Sequence, residues 1–133
     1  MRYVVALGVA LVLNAGANLL VKMGMNSVQA SGGLFREGVV AAAGTVLSNG
    51  ALMIGLSCFA LNAVFYMYAL ESKTLKISIA YPVMVGGGFA LIALVARLHP
   101  ELSERLSWGQ IVGVAMVLLG VGLIASDTQT APG

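Results

Sequence analysis

The run LVLNAGANLLVK, residues 11–22, sets Asn14 and Asn18 four positions apart in an otherwise apolar stretch that closes on Lys22. Each four-residue step on an α-helix drifts by about 40°, so the three side chains form one polar ridge. An amide in hydrocarbon costs free energy unless it finds a partner. Two arrangements meet that cost. The amides can bond between helices while Lys22 snorkels to the headgroups, or they can line a path or site for a polar headgroup. Asn62, Tyr66 and Glu71 lie on a related track, and Ser78 and Tyr81 stand just ahead of Pro82.

Amides, hydroxyls and a lysine bind and orient polar groups, but the machinery for breaking bonds is missing. His99 has no second ligand at metal-binding spacing. No G-x-S-x-G, P-loop or H-E-x-x-H pattern occurs. The apolar runs contain no acid, which leaves a side-chain proton relay without a carrier. The expectation is a protein that is not an enzyme and uses no cofactor or metal.

The elements that carry these residues follow from composition. Of 133 residues, 59% are apolar and 9% charged, whereas soluble domains are about 25% charged. Charged side chains are absent from 3–21, 38–70, 77–96 and 106–126, and about 20 residues cross the hydrocarbon. The fold class is therefore an all-α integral membrane protein, one domain over 1–126. Its four transmembrane helices are expected at about 3–21, 50–70, 77–96 and 106–126, with 127–133 a polar tail. The first run resembles a secretory signal, but its apolar character continues to full span length, so a retained span is expected. Residues 26–33 read as a polar, turn-rich link. Over 34–49, Leu34, Phe35, Val39, Ala42 and Val46 make one apolar stripe, which predicts a short interfacial helix.

Within the third span, Pro82 removes a backbone donor, and Gly86, Gly87 and Gly88 allow close approach and helix flexing. Ser103 or Ser107 is placed to cap the fourth span, with Trp108 at headgroup level. Gly109, Gly113 and Gly120 fall near one face of that span, suited either to internal packing or to a dimer interface. Basic residues balance across the membrane: Arg2, Lys73 and Lys76 on one side, Lys22, Arg36, Arg97 and Arg105 on the other. Such a balance fits insertion in both orientations, and also chance. No basic patch points to nucleic acid, and the lone Cys58 excludes an intrachain disulfide.

NAGANLLVK in the first span, SIAYPV followed by glycines in the third, and LSWGQIVGVAMVLLGVGLIAS in the fourth resemble the drug/metabolite transporter superfamily. The similarity is to its four-helix members, and it covers the first, third and fourth spans and the end of the second. One branch is the small multidrug resistance proteins, antiparallel dimers that exchange protons for cations. The other holds the paired flippase subunits for undecaprenyl-phosphate-linked aminoarabinose. By position, Lys22 matches the lysine that ends the first span of the multidrug branch, and Tyr81 the tyrosine of its AY pair. Gly113 and Gly120 match the glycines of its dimer-forming fourth span. The essential membrane glutamate of those exporters falls at Asn14, and their span-three tryptophan at Met84. An amide does not titrate near neutral pH, which argues against the proton-coupled mechanism. The AYP sequence and the long segment between the first two spans are closer to the flippase branch.

The resemblance implies a multi-pass transporter of the bacterial inner membrane, a homodimer or a heterodimer with a similar small subunit, in contact with membrane lipid. It implies flipping of an amphiphile such as a polyprenyl-phosphate-linked sugar. Asn14, Asn18, Lys22, Asn62, Tyr66, Ser78 and Tyr81 would form the path or headgroup site. The alternatives are an exporter of small polar or cationic metabolites, and a non-transporting subunit of a larger complex.

Overall fold

The structure, a computed structural model, describes residues 1–73, 75–98 and 107–127. The loop holding His99 and Ser103, and the tail 128–133, lie outside the described residues. The described residues form five helices: α1 Arg2–Ala30, α2 Val39–Ser48, α3 Gly50–Leu70, α4 Ile77–Leu98 and α5 Trp108–Asp127. Four of them, α1, α3, α4 and α5, are long and apolar enough to cross a membrane. At 10 residues, α2 is about 15 Å long and cannot; it is the short helix expected within 34–49.

Helix α1 runs well past the expected end of the first span and takes in most of the stretch read as a link. A charge at Lys22 ends an apolar run, but it does not end a helix. Lysine, methionine and glutamine are good helix formers, and they carry α1 on to Ala30. The stop comes at Gly32 and Gly33, where φ is +115° and +99°, a region that favours glycine. There the Gly33 N–H bonds back to the Val28 carbonyl at 3.0 Å.

Helix α1 packs against both α3 and α4, while α5 packs on α4 and α2 on α3. Lipid gives helices no hydrophobic reason to associate, so small residues that let backbones approach set the contacts. A Cβ on Gly55 would lie 3.2 Å from the Ala17 carbonyl and 3.1 Å from the Val21 nitrogen; one on Gly24 would strike Leu52. These contacts, with Tyr3 beside Tyr68 at 5.4 Å between ring centroids, fix α1 and α3 as antiparallel. The buried residues of α3, Leu52, Gly55, Asn62 and Ala69, fall three, seven and seven residues apart, the heptad-related spacing of a helix–helix seam.

The three consecutive glycines of α4 face two neighbours. Leu11 of α1 sits on Gly87, and the Asn14 amide nitrogen lies 3.2 Å from where a Gly88 Cβ would stand. Val117 and Val121 of α5 sit on Gly86. What the structure displays at this stretch is close approach, within a helix that is continuous through Pro82. Two caps set helix starts. Asn49 Oδ1 accepts from the Leu52 N–H at 3.1 Å, and its Nδ2 donates to Ser27 Oγ at 2.9 Å, tying α3 to α1. Ser107 caps α5: its Oγ accepts from the Gln110 N–H at 3.3 Å, and Gln110 Oε1 accepts from the Ser107 N–H at 2.7 Å, a reciprocal capping box.

Candidate functional site

Asn62 occupies the α3 seam that faces α1, with 9% of its surface exposed. Its Oδ1 is buried and has no hydrogen-bond partner among the described residues, and the same holds for the Tyr66 hydroxyl one turn on. Tyr66 packs against a core of Ala6, Leu7, Ala69, Ala80 and Met84, none of which has a side-chain donor to offer. Tyr81, near the start of α4, is 57% exposed. The antiparallel register, set by Gly55 against Ala17 and Val21 and by Tyr68 against Tyr3, puts Asn62 within about one turn of Asn14.

The expected ridge on α1 divides. Asn14 is half-buried against Gly88. Asn18 is exposed, and its Nδ2 donates to the Asn14 carbonyl at 2.8 Å. Lys22 is exposed, about 12 Å along the axis from Asn14 at the helical rise. Ser78 is exposed at the start of α4. The structure thus buries Asn62, half-buries Asn14 and Tyr66, and leaves Asn18, Lys22, Ser78 and Tyr81 exposed.

One cluster escaped the sequence. All four tyrosines, Tyr3, Tyr66, Tyr68 and Tyr81, collect towards one end of the bundle. Arg2 lies 5.4 Å from the centre of the Tyr3 ring, and Lys73 and Lys76 follow in the adjoining loop. Such a belt suits a headgroup interface. Its signal is visible only once α1 and α3 are known to be antiparallel, since residues 3 and 68 are far apart in the chain.

On α5 no described side chain is buried. A Cβ on Gly113 or Gly120 would meet nothing within 4 Å, and one on Gly109 only Ser107 Oγ at 3.8 Å. A groove of about 440 Å³ runs between α4 and α5, lined by Phe89, Ala96, Gln110 and Gly113 among others.

The protein y4nH of Sinorhizobium fredii, carrying the name "Uncharacterized protein y4nH", is 32% identical over 125 residues, covering 90% of this chain and 96% of that protein. The chain belongs to the y4nH family. It is also similar to proteins named as probable 4-amino-4-deoxy-L-arabinose-phosphoundecaprenol flippase subunit ArnF. The one from Proteus mirabilis is 28% identical over 78 residues, 59% of this chain and 56% of that protein. The one from Shewanella sediminis is 39% identical over 78 residues, 58% of this chain and 52% of that protein. The similarity therefore spans about half the length of these flippase subunits. No family model and no solved structure matches the chain. Four spanning helices and these relatives together make it a small multi-pass membrane protein that is ArnF-like.

Proposed function

We propose that this chain is a small inner-membrane transporter that flips an amphiphile of the polyprenyl-phosphate-linked sugar class across the bilayer by alternating access. The observation that carries the reading is the similarity to flippase subunits. The residues are compatible with it. Asn14 holds an amide at the position where proton-coupled exporters of the superfamily keep an acid, so no proton is exchanged there. Lys22 draws the phosphate, Asn14, Asn18 and Asn62 line the headgroup path, and Ser78, Tyr66 and Tyr81 supply hydroxyls along it. Translocation on this scheme is a conformational change about a midplane site without covalent chemistry, with the stretch from Pro82 to Gly88 absorbing the movement.

The working unit is a dimer, of two copies or of this chain with a similar small subunit, joined through α5. A Cβ on Gly113 or Gly120 would meet nothing within 4 Å among the described residues, and one on Gly109 only Ser107 of its own helix start; small residues are where membrane helices meet. The test is binding and flipping of a polyprenyl-phosphate sugar by the full chain in liposomes. Lys22→Ala and Asn14→Leu are each expected to slow flipping at least about tenfold, the scale of one lost charge-assisted contact. Unchanged rates in both variants would overturn the site. Export of quaternary ammonium dyes with a stoichiometric proton flux would overturn the flippase reading in favour of a cation exporter.

A further inference from the structure

Resting on the flippase reading, we infer that Asn62 and Tyr66 form a buried acceptor pair that takes a hydrogen-bond donor of the ligand, a sugar hydroxyl or ammonium, as the headgroup passes between α1 and α3. A buried asparagine on a helix seam usually earns its place by bonding across the seam and fixing register. Asn62 does not do so: its Oδ1 has no partner among the described residues, and the Tyr66 hydroxyl beside it has none either. The wall around Tyr66 is Ala6, Leu7, Ala69, Ala80 and Met84. Two polar atoms in an apolar wall have the lining chemistry of a small ligand site, and the close-packed α1–α3 seam must part for a headgroup to reach them.

The chemistry of the two atoms selects the ligand group. An amide oxygen only accepts, and a phenol oxygen accepts or donates. An ionised phosphate has no proton to give and is repelled by Asn62 Oδ1; it could accept only from the Tyr66 hydroxyl, so the pair taken together does not suit it. Hydroxyl and ammonium groups match both atoms. The phosphate belongs elsewhere along the path. Tyr66 lies near the level of Ala6 and Leu7, so Lys22 stands about 23 Å away along α1 at the helical rise. Phosphate and first sugar are joined through a single oxygen and cannot occupy both places together. Lys22 and the acceptor pair therefore act at successive stages of one passage.

The experiment compares the wild-type chain, Tyr66→Phe and Asn62→Leu in lipid discs. Three probes are titrated: bare polyprenyl phosphate, the same lipid bearing a neutral hexose, and the same lipid bearing an amino sugar. Tyr66→Phe removes one oxygen and keeps the ring in its packing, so it tests the pair even if Asn62→Leu fails to fold. Each variant is expected to weaken binding of the sugar lipids about three- to tenfold, the worth of one hydrogen bond, and to leave the bare phosphate lipid unchanged. A loss confined to the amino sugar identifies the ammonium as the donor; a loss for both sugars identifies a hydroxyl. If both variants bind all three lipids as the wild type does, or lose all three equally, the pair is a structural or water-filled feature and the inference is overturned while the flippase reading stands. If the wild type binds none of the three, the flippase reading falls and the inference with it.

Discussion

Asn18 Nδ2 donates to the carbonyl of Asn14 one turn back, whereas Asn62 Oδ1 lies buried with no partner among the described residues. The spacing of Asn14, Asn18 and Lys22 on one ridge was legible in the sequence, because four-residue steps on a helix leave little choice. Where each amide sends its hydrogen bonds was not legible, since a side chain that closes on its own helix and one that reaches outwards have the same spacing. The two asparagines differ in their energetic consequences. Asn62→Leu removes an unsatisfied buried acceptor that costs about 1–3 kcal/mol, so the variant is expected to raise the thermal unfolding midpoint in detergent. Asn18→Leu gives up one hydrogen bond worth about 0.6 kcal/mol in a membrane bundle and is expected to shift the midpoint little. A destabilised Asn62→Leu would show that Oδ1 has a partner.

Helices α1, α3, α4 and α5 could be read from uncharged runs, because a hydrocarbon core tolerates few charges. The extent of α1 could not be read that way. Lys22 limits an apolar run, while the helix is limited by Gly32 and Gly33, and the two limits need not coincide. The glycines were visible as a class, but their partners were not. Gly55 faces the backbone of α1 at Ala17 and Val21, and Gly120 meets nothing within 4 Å. Gly55→Ala is therefore expected to cost about 1–3 kcal/mol through overpacking against atoms that cannot move aside. Gly120→Ala is expected to be neutral in a monomeric state or slightly stabilising, since alanine is the better helix former. Thermal unfolding of both in detergent checks the pair, and equal effects would contradict the packing of α1 on α3. Ser107→Ala removes the α5 cap and is expected to cost about 0.5–2 kcal/mol, read as fraying of α5 by amide exchange.

Among the described residues the molecule is a packing of α1, α3 and α4, with α5 resting chiefly on α4. No described side chain of α5 is buried, and the proposed dimer would seat its second subunit on this helix. Gly113→Leu is expected to shift the species seen by native mass spectrometry from lipid discs from dimer towards monomer; an unchanged dimer would move the interface off this face. The balance of Arg2, Lys73 and Lys76 against Lys22, Arg36, Arg97 and Arg105 leaves parallel and antiparallel pairs equally open to the positive-inside rule. The polar path of the proposed function would run from the tyrosine-rich end, past Asn62 and Asn14, to Lys22. The most direct measurement is transbilayer movement of a polyprenyl-phosphate-linked sugar in liposomes holding the purified full chain, alone or with a similar small subunit. Movement that rises with protein content, persists without a proton gradient and is slowed by Lys22→Ala and Asn14→Leu is the predicted result. No movement above protein-free liposomes, under either pairing, would contradict it.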